Sequence, residues 1–250
     1  MNRKQDQYKF FGYVAIAAAI VFDIALWIQI GAYGGKPGDK VYLVDVGQGD
    51  STFVEFASGL KILTDAGPDE KAVRSMRNIL PENSYIDLAV VSHPQLDHFN
   101  GFIALLSHYR FGAFLINGRE ADGGALANWK DLLREIDRRK IPIITLGYPD
   151  SIVQGKSRID ILSPDPALIG SAELNDTAII ESVKTDAMHI LFTGDMGTNV
   201  ESYLIGRGLN LRAEILIVGH HGSKFSTSRE FLAAVRPRIA LIGVGAKNTY

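Results

Sequence analysis

Ser92-His93-Pro94-Gln95-Leu96-Asp97-His98-Phe99-Asn100-Gly101 packs two imidazoles and a carboxylate into a short stretch directly after the apolar run Ile86–Val91. The run reads as a buried strand, which puts the cluster on the loop at the strand's C-terminal end. Neutral imidazole and carboxylate are ligands that zinc, manganese and iron accept. A loop can fold His93, Asp97 and His98 around one point where a helix face would separate them. The stretch therefore predicts a metal site at a strand end, against the plainer reading of a solvated polar loop.

Two further strand ends carry side chains of the same type. His189–Phe192 leads into Thr193-Gly194-Asp195, and Glu214–Val218 leads into Gly219-His220-His221-Gly222-Ser223. A carboxylate at one strand end and imidazoles at the next suit a site for two ions roughly 3.5–4 Å apart. Clustered His and Asp at three strand ends read as a metal or catalytic site more readily than as isolated structural residues. The adjacent residues alone do not say which of His220 and His221 faces the metal.

Four segments carry a resemblance to a known family: Val44-Asp45-Val46-Gly47-Gln48-Gly49-Asp50-Ser51, the His93–His98 loop, Phe192-Thr193-Gly194-Asp195, and Val218-Gly219-His220-His221-Gly222-Ser223-Lys224. Together they resemble the metallo-β-lactamase-fold hydrolases and, within them, the extracellular domain of the ComEC/Rec2 competence proteins. The resemblance covers nearly all of residues 40–250. It implies an αββα sandwich holding one or two divalent metal ions, Zn or Mn, and a hydrolase acting on the phosphodiesters of DNA outside the cytoplasm. Where the general family loop reads His-x-His-x-Asp-His, and the competence branch commonly has Asp at the middle ligand, this chain has Gln95, an uncharged and weaker oxygen ligand. Ile239 to Tyr250 resembles the family's final strand and the opening of a loop that in the family continues Gly-His-Pro, so residues 40–250 are expected to be a C-terminally truncated domain.

Composition bounds the remaining possibilities. With 250 residues, 46% of them hydrophobic and 22% charged, the chain can bury a core and is not disordered. Zero Cys excludes thiolate metal sites and disulfides, which leaves His, Asp and amide oxygens as ligands. A formal net charge of −2 supplies no general basic field for nucleic acid, so phosphate would be held locally, by metal and by Lys224 or Ser223.

Residues 10–30 are apolar apart from Gln29 and Asp23 and are long enough to cross a bilayer. They read as a transmembrane anchor between a cytoplasmic tail, 1–9, and a Gly-rich linker, 31–39. The rival, a cleaved leader, has a shorter apolar part. Arg3, Lys4 and Lys9 ahead of the span keep the N-terminus cytoplasmic under the positive-inside rule, with the hydrolase domain extracytoplasmic.

Beyond the linker, strands are expected at 40–45, 51–56, 61–64, 86–91, 113–116, 141–145, 157–162, 177–184, 189–192, 214–218 and from 239. Helices are expected at 69–80, 102–108, 125–139, 199–206 and 228–235. Two halves that each run strands then helices suit an α/β (α+β) fold of two sheets packed between helix layers.

Asp97 is placed to orient or deprotonate a metal-activated water, with Lys224 offsetting charge on the attacked group. Asp65 reads as a turn residue or as the group orienting a ligand His. Asp45 and Asp50 read first as turn residues around Gly47-Gln48-Gly49 and second as contacts to the site; Asn175 is divided between turn capping and facing the cleft. His108 and His189 are structural. Two other functions stay open: a lactone or ester hydrolase on the same site, and a DNA-binding module with a weakened metal centre. One apolar span cannot form a pore, so a role in DNA uptake would require a separate translocation channel protein.

Overall fold

The computed structural model describes residues 3–33, 38–246 and 248; Gly34–Pro37 of the expected linker and the last two residues lie outside the described set. The chain divides into two units, residues 1–38 and 39–250.

The first unit holds helix α1, Arg3–Tyr33. It extends past both ends of the expected span because Arg3 to Lys9 and Gly31 to Tyr33 contain no helix-breaking proline. Its stretch Phe11–Gln29 has a mean hydropathy of 2.2, and its side chains are exposed all round. Nineteen residues of helix rise about 28 Å, close to the roughly 30 Å of a bilayer's hydrocarbon core. Among the described residues it is the one helix long and apolar enough to cross a membrane.

The second unit runs β1 (Lys40–Leu43), β2 (Thr52–Glu55), β3 (Lys61–Thr64), α2 (Lys71–Met76), β4 (Tyr85–Val90), α3 (Leu96–Phe99), α4 (Gly101–Leu105), β5 (Arg110–Ile116), α5 (Leu126–Arg138) and β6 (Ile143–Thr145). It continues with β7 (Ser151–Gln154), β8 (Ser157–Ser163), β9 (Ile180–Lys184), β10 (His189–Phe192), α6 (Thr198–Gly206), β11 (Ile215–Ile217), α7 (Arg229–Val235) and β12 (Ile239–Leu241). One sheet has the order β1-β2-β3-β4-β5-β6 and the other β12-β11-β10-β9-β8-β7. In each, an antiparallel meander passes into parallel strands: β3 to β6 in the first, β10 to β12 in the second. Parallel neighbours need helical crossovers, which supply the outer layers.

Three apolar clusters follow from this layering. Val54, Ile62, Val90 and Leu115 of the first sheet meet Ile159, Ile161, Val183, Ile190 and Ile217 of the second. On the outer face of the first sheet, Phe99, Phe102, Trp129 and Leu132 from α3, α4 and α5 pack on Phe53, Leu63 and Phe114. On the outer face of the second, Val200, Leu204, Phe231 and Val235 from α6 and α7 pack on Ile180, Leu191 and Leu216. This is the expected αββα sandwich.

Local departures have identifiable causes. The expected strand from Thr177 starts only at Ile180, because Thr177 O accepts from Asn117 and Ile179 N donates to Ser92 O, which removes both groups from the ladder. The 69–80 helix shortens to 71–76 and continues as turns. β7 escaped the sequence reading because it is an exposed edge strand with no apolar alternation to mark it.

Glu181, fully buried on β9, accepts a 3.3 Å hydrogen bond from Thr64 on β3 across the two sheets. Burial, helped by the charge of Asp65, pushes its carboxyl up to about 8, so the folded chain retains a proton there that the unfolded chain loses above its ordinary value of 4.5. This contribution to stability therefore declines as pH rises from about 4.5 to about 8. Glu181→Gln keeps an acceptor for Thr64 without the ionisation. It should raise the melting temperature at pH 8 relative to the parent by the equivalent of a few kcal/mol, on the order of its pKa displacement, and change little at pH 5. Equal melting shifts at the two pH values would refute the assignment.

Candidate metal centre

The predicted cluster gathers at the C-terminal ends of the strands. Asp65 follows β3, His93 follows β4, Asp195 follows β10 and His221 follows β11, with α3 supplying Asp97 and His98. The stretch read as a loop thus contains a four-residue helical turn. Its carbonyls tie it to neighbouring segments: Asp97 O accepts from Asp50 N and His98 O from Ala66 N.

Asp97, His98, Asp195 and His221 each bring a ligand atom within 4.8 Å of the others. His98 Nε2 stands 3.3 Å from Asp195 Oδ2, and His221 Nε2 stands 3.3 Å from Asp97 Oδ2 and 3.6 Å from Asp195 Oδ2. Asp195, His98 and His221 are buried, whereas Asp97 is 27% exposed and is the member open to solvent. The His93 ring lies 4.2 Å from that of His98, centre to centre.

The supporting hydrogen bonds select which nitrogens face the cluster. His98 Nδ1 donates to Asp65 Oδ2 at 2.8 Å, and His221 Nδ1 donates to Gly243 O at 3.0 Å with Asp50 Oδ1 3.4 Å away. Ser92 donates its hydroxyl proton to Asp65 Oδ2 and its N–H to Asp65 Oδ1, so its oxygen accepts from His93 Nδ1 at 3.0 Å. With Nδ1 protonated in all three rings, each Nε2 lone pair remains for a cation. The Nε2 atoms of His93 and His98 are buried without a hydrogen bond. Buried polar atoms in that state are costly unless an ion satisfies them. Two carboxylates and buried imidazole nitrogens, with no thiolate available, fit zinc or manganese.

Protonation reflects the same crowding. Burial disfavours charge on Asp195, but His98, His93 and His221 outweigh it and hold the carboxyl well below its usual range. Burial also opposes the His98 charge, yet Asp195 and Asp65 keep it raised. Against burial, hydrogen bonds to Asp50 and Asp97 push His221 up to about 10. Burial and the neighbouring His98 drive His93 down to about 4, leaving it neutral. Imidazolium protons thus balance the carboxylates here, and they are what a divalent cation displaces on binding.

Asp65, Ser92 and Asp50 act through the imidazoles. Asp65 takes a left-handed backbone, φ 59°, in order to aim both oxygens at Ser92 and His98. Asp65→Asn should weaken divalent-metal affinity by about 10–100-fold, read by competitive chelator titration. An affinity unchanged within twofold would show that His98 needs no such support.

The other predicted residues fall as follows. His220, half-buried, lies outside the four-residue cluster; its backbone N–H donates to Asp195 Oδ1 at 3.1 Å, so it holds a ligand from behind. Both His220 and His221 have left-handed backbones, φ 51° and 52°, and this reversal presents only the second ring to the cluster. Asp45 is exposed and paired with Lys71 Nζ at 2.6 Å, a turn residue rather than a site contact. Asp50, read first as a turn residue, is instead buried against His221. Lys224 is exposed, its ammonium 5.1 Å from the Phe225 ring centre, and Ser223 Oγ accepts from Phe225 N to close the loop. Asn175 lies in the turn Leu174–Thr177, where its carbonyl accepts from Ala178 N. Gln95, half-buried, directly precedes α3, and its backbone N–H donates to His93 O at 3.0 Å. Ser92, which joins Asp65 to His93, was missed: a serine at a strand end carries no signal of its own. Gln48 was missed likewise; its Oε1 accepts from Gly245 N at 3.0 Å.

Residues 44–245 match the model of the Metallo-beta-lactamase superfamily. The chain is 26% identical over 231 residues to ComE operon protein 3 of Bacillus subtilis, covering 84% of this chain and 29% of that protein. It is 29% identical over 236 residues to Recombination protein 2 of Haemophilus influenzae, covering 92% of this chain and 27% of that protein. The chain thus spans less than a third of the length of these curated relatives. In backbone it is similar to CmlA, a diiron β-hydroxylase from Streptomyces venezuelae, with TM-score 0.52 and 13% identity over 82% of this chain and 44% of that one, a likeness of fold alone.

Proposed function

Because the chain belongs to the metallo-beta-lactamase superfamily, we propose that it is a metal-dependent hydrolase that cleaves phosphodiester bonds of DNA outside the cytoplasm, tethered to the membrane by α1. The observation that carries this reading is the convergence of Asp97, His98, Asp195 and His221 on one point. The relative named for recombination supports nucleic acid as the substrate. The span Phe11–Gln29 supports the tether, and the basic residues Arg3, Lys4 and Lys9 before it support a cytoplasmic N-terminus.

His93, His98, Asp195 and His221 would hold one or two divalent cations, Zn or Mn. A cation bound there supplies Lewis acidity and brings the pKa of water toward neutrality. Asp97, the solvent-facing carboxylate, orients the attacking water and accepts its proton. Burial and the hydrogen bond from His221 act in opposite directions on Asp97, and the net lowering keeps it an ionised base. Asp65 and Asp50 fix the imidazoles, so the ligand geometry is set before substrate arrives.

The test uses the full chain in detergent with manganese or zinc, single- and double-stranded DNA, a panel of esters and lactones, and an Asp97→Ala control. DNA cleavage that falls by about 100-fold or more in the control supports the proposal. Turnover of esters with DNA untouched would reassign the substrate, and absence of bound metal would leave a binding module.

A further inference from the structure

At the other end of the second sheet, where β9 finishes and β10, β11 and β12 begin, a cavity of about 370 Å³ is lined by Lys184, Arg212, Arg236 and Arg238 together with His189 and Glu214. Four cationic side chains converge there against one carboxylate, in a chain whose formal net charge is −2. Asp195 follows the opposite end of β10, so His189–Phe192 puts about 10 Å of strand or more between cavity and metal centre.

The cations are poorly neutralised by the protein itself. Among the described residues no carboxylate pairs with Arg212, Arg236 or Arg238; Arg236 Nε donates to Ala233 O. Lys184 Nζ lies 3.9 Å from Asp160, which is already engaged by Arg158 at 2.6 Å. Glu214 is the one carboxylate of the lining; its Oε2 accepts from His189 N at 3.1 Å, and its backbone carbonyl accepts from Arg238 N and Ile239 N. These bonds fix the floor of the cavity while the guanidinium groups stay open. Arginine forks match the oxygens of phosphate bidentately, and a concave site lined by several of them selects a compact polyanion over a neutral ligand.

We propose that this cavity is an anion site that takes a phosphate group, separate from the metal centre. The phosphate comes either free, as a small di- or triphosphate, or as part of a nucleic-acid strand held at a second point along its backbone. The site stands independently of the hydrolytic reading, because its residues share nothing with the metal cluster.

The experiment uses the full chain in detergent, stripped of metal with EDTA so that phosphate held by metal does not contribute. Inorganic pyrophosphate and a short single-stranded oligonucleotide are titrated separately by calorimetry at low ionic strength. Arg212→Glu with Arg238→Glu should weaken binding by on the order of a hundredfold, and Arg238→Gln alone by about tenfold. Loss for pyrophosphate only supports a free anion as ligand; loss for the oligonucleotide as well supports a strand phosphate. No binding of either probe to the parent chain, or binding indifferent to charge reversal, overturns the site. If the double variant melts early, the comparison rests on Arg238→Gln at an unchanged melting temperature.

Discussion

Asp195→Ala is expected to lower metal-dependent hydrolysis by about a thousandfold or more, since a bound cation is worth several kcal/mol of transition-state stabilisation. Asp195 is the residue common to both imidazoles of the cluster, 3.3 Å from His98 Nε2 and 3.6 Å from His221 Nε2. Its other oxygen accepts from His220 N, so the same substitution leaves a backbone donor of the left-handed loop without its partner, at a cost of about 1–3 kcal/mol. Asp195→Asn separates the two effects. It retains an acceptor for His220 and a near-normal melting temperature, yet carries no charge to hold the cation. Metal content, turnover and melting measured on both variants check the argument. Turnover within tenfold of the parent in Asp195→Ala would remove Asp195 from the centre.

Gly49→Ala, which touches no proposed ligand side chain, should be nearly as damaging. A Cβ at Gly49 would stand 2.4 Å from the Asp97 carbonyl oxygen and 3.0 Å from Pro68 Cδ, at a backbone φ of 140° that side-chain-bearing residues rarely adopt. Adjacent to it, Asp50 N donates to that same carbonyl at 3.2 Å, so the first loop cannot retreat without releasing α3. Overpacking and backbone strain together cost about 3 kcal/mol, which for a domain of this size lowers the melting temperature by roughly 10 °C. Turnover should fall at temperatures where the variant remains folded, because the displaced backbone is that of Asp97. A variant that melts with the parent and turns over normally would show that the two loops are not in tight apposition.

The candidate metal centre was legible in the sequence because its chemistry is concentrated at strand ends. His93, Asp97, His98 and Asp195 are polar groups set against apolar runs, a contrast that needs no tertiary knowledge to notice. The choice between His220 and His221 was illegible, because it depends on two consecutive positive φ angles that neither residue type announces. Asp45 and Asp50 flank one turn and looked equivalent. The fold exposes the first to Lys71 and buries the second on His221, through contacts far apart in sequence. The basic cavity was equally hidden, since Lys184, Arg212, Arg236 and Arg238 are scattered singly and meet only where the parallel strands β10 to β12 begin. The layer order was legible from alternating strands and helices, while the edge strand β7 and the short α3 lacked the periodicity that reveals longer elements.

The bond from Gly245 N to Gln48 Oε1 joins residues 197 positions apart, and Gly243 O reaches back in the same way to His221. Ribosomes add about 5–20 residues per second, so Gln48 emerges roughly 10–40 s before its partner is made. Over that interval the inner apolar layers can assemble, but one wall of the ligand pocket has not yet been synthesised. The imidazole of His221 therefore meets its orienting carbonyl only after all four residues of the cluster have been translated.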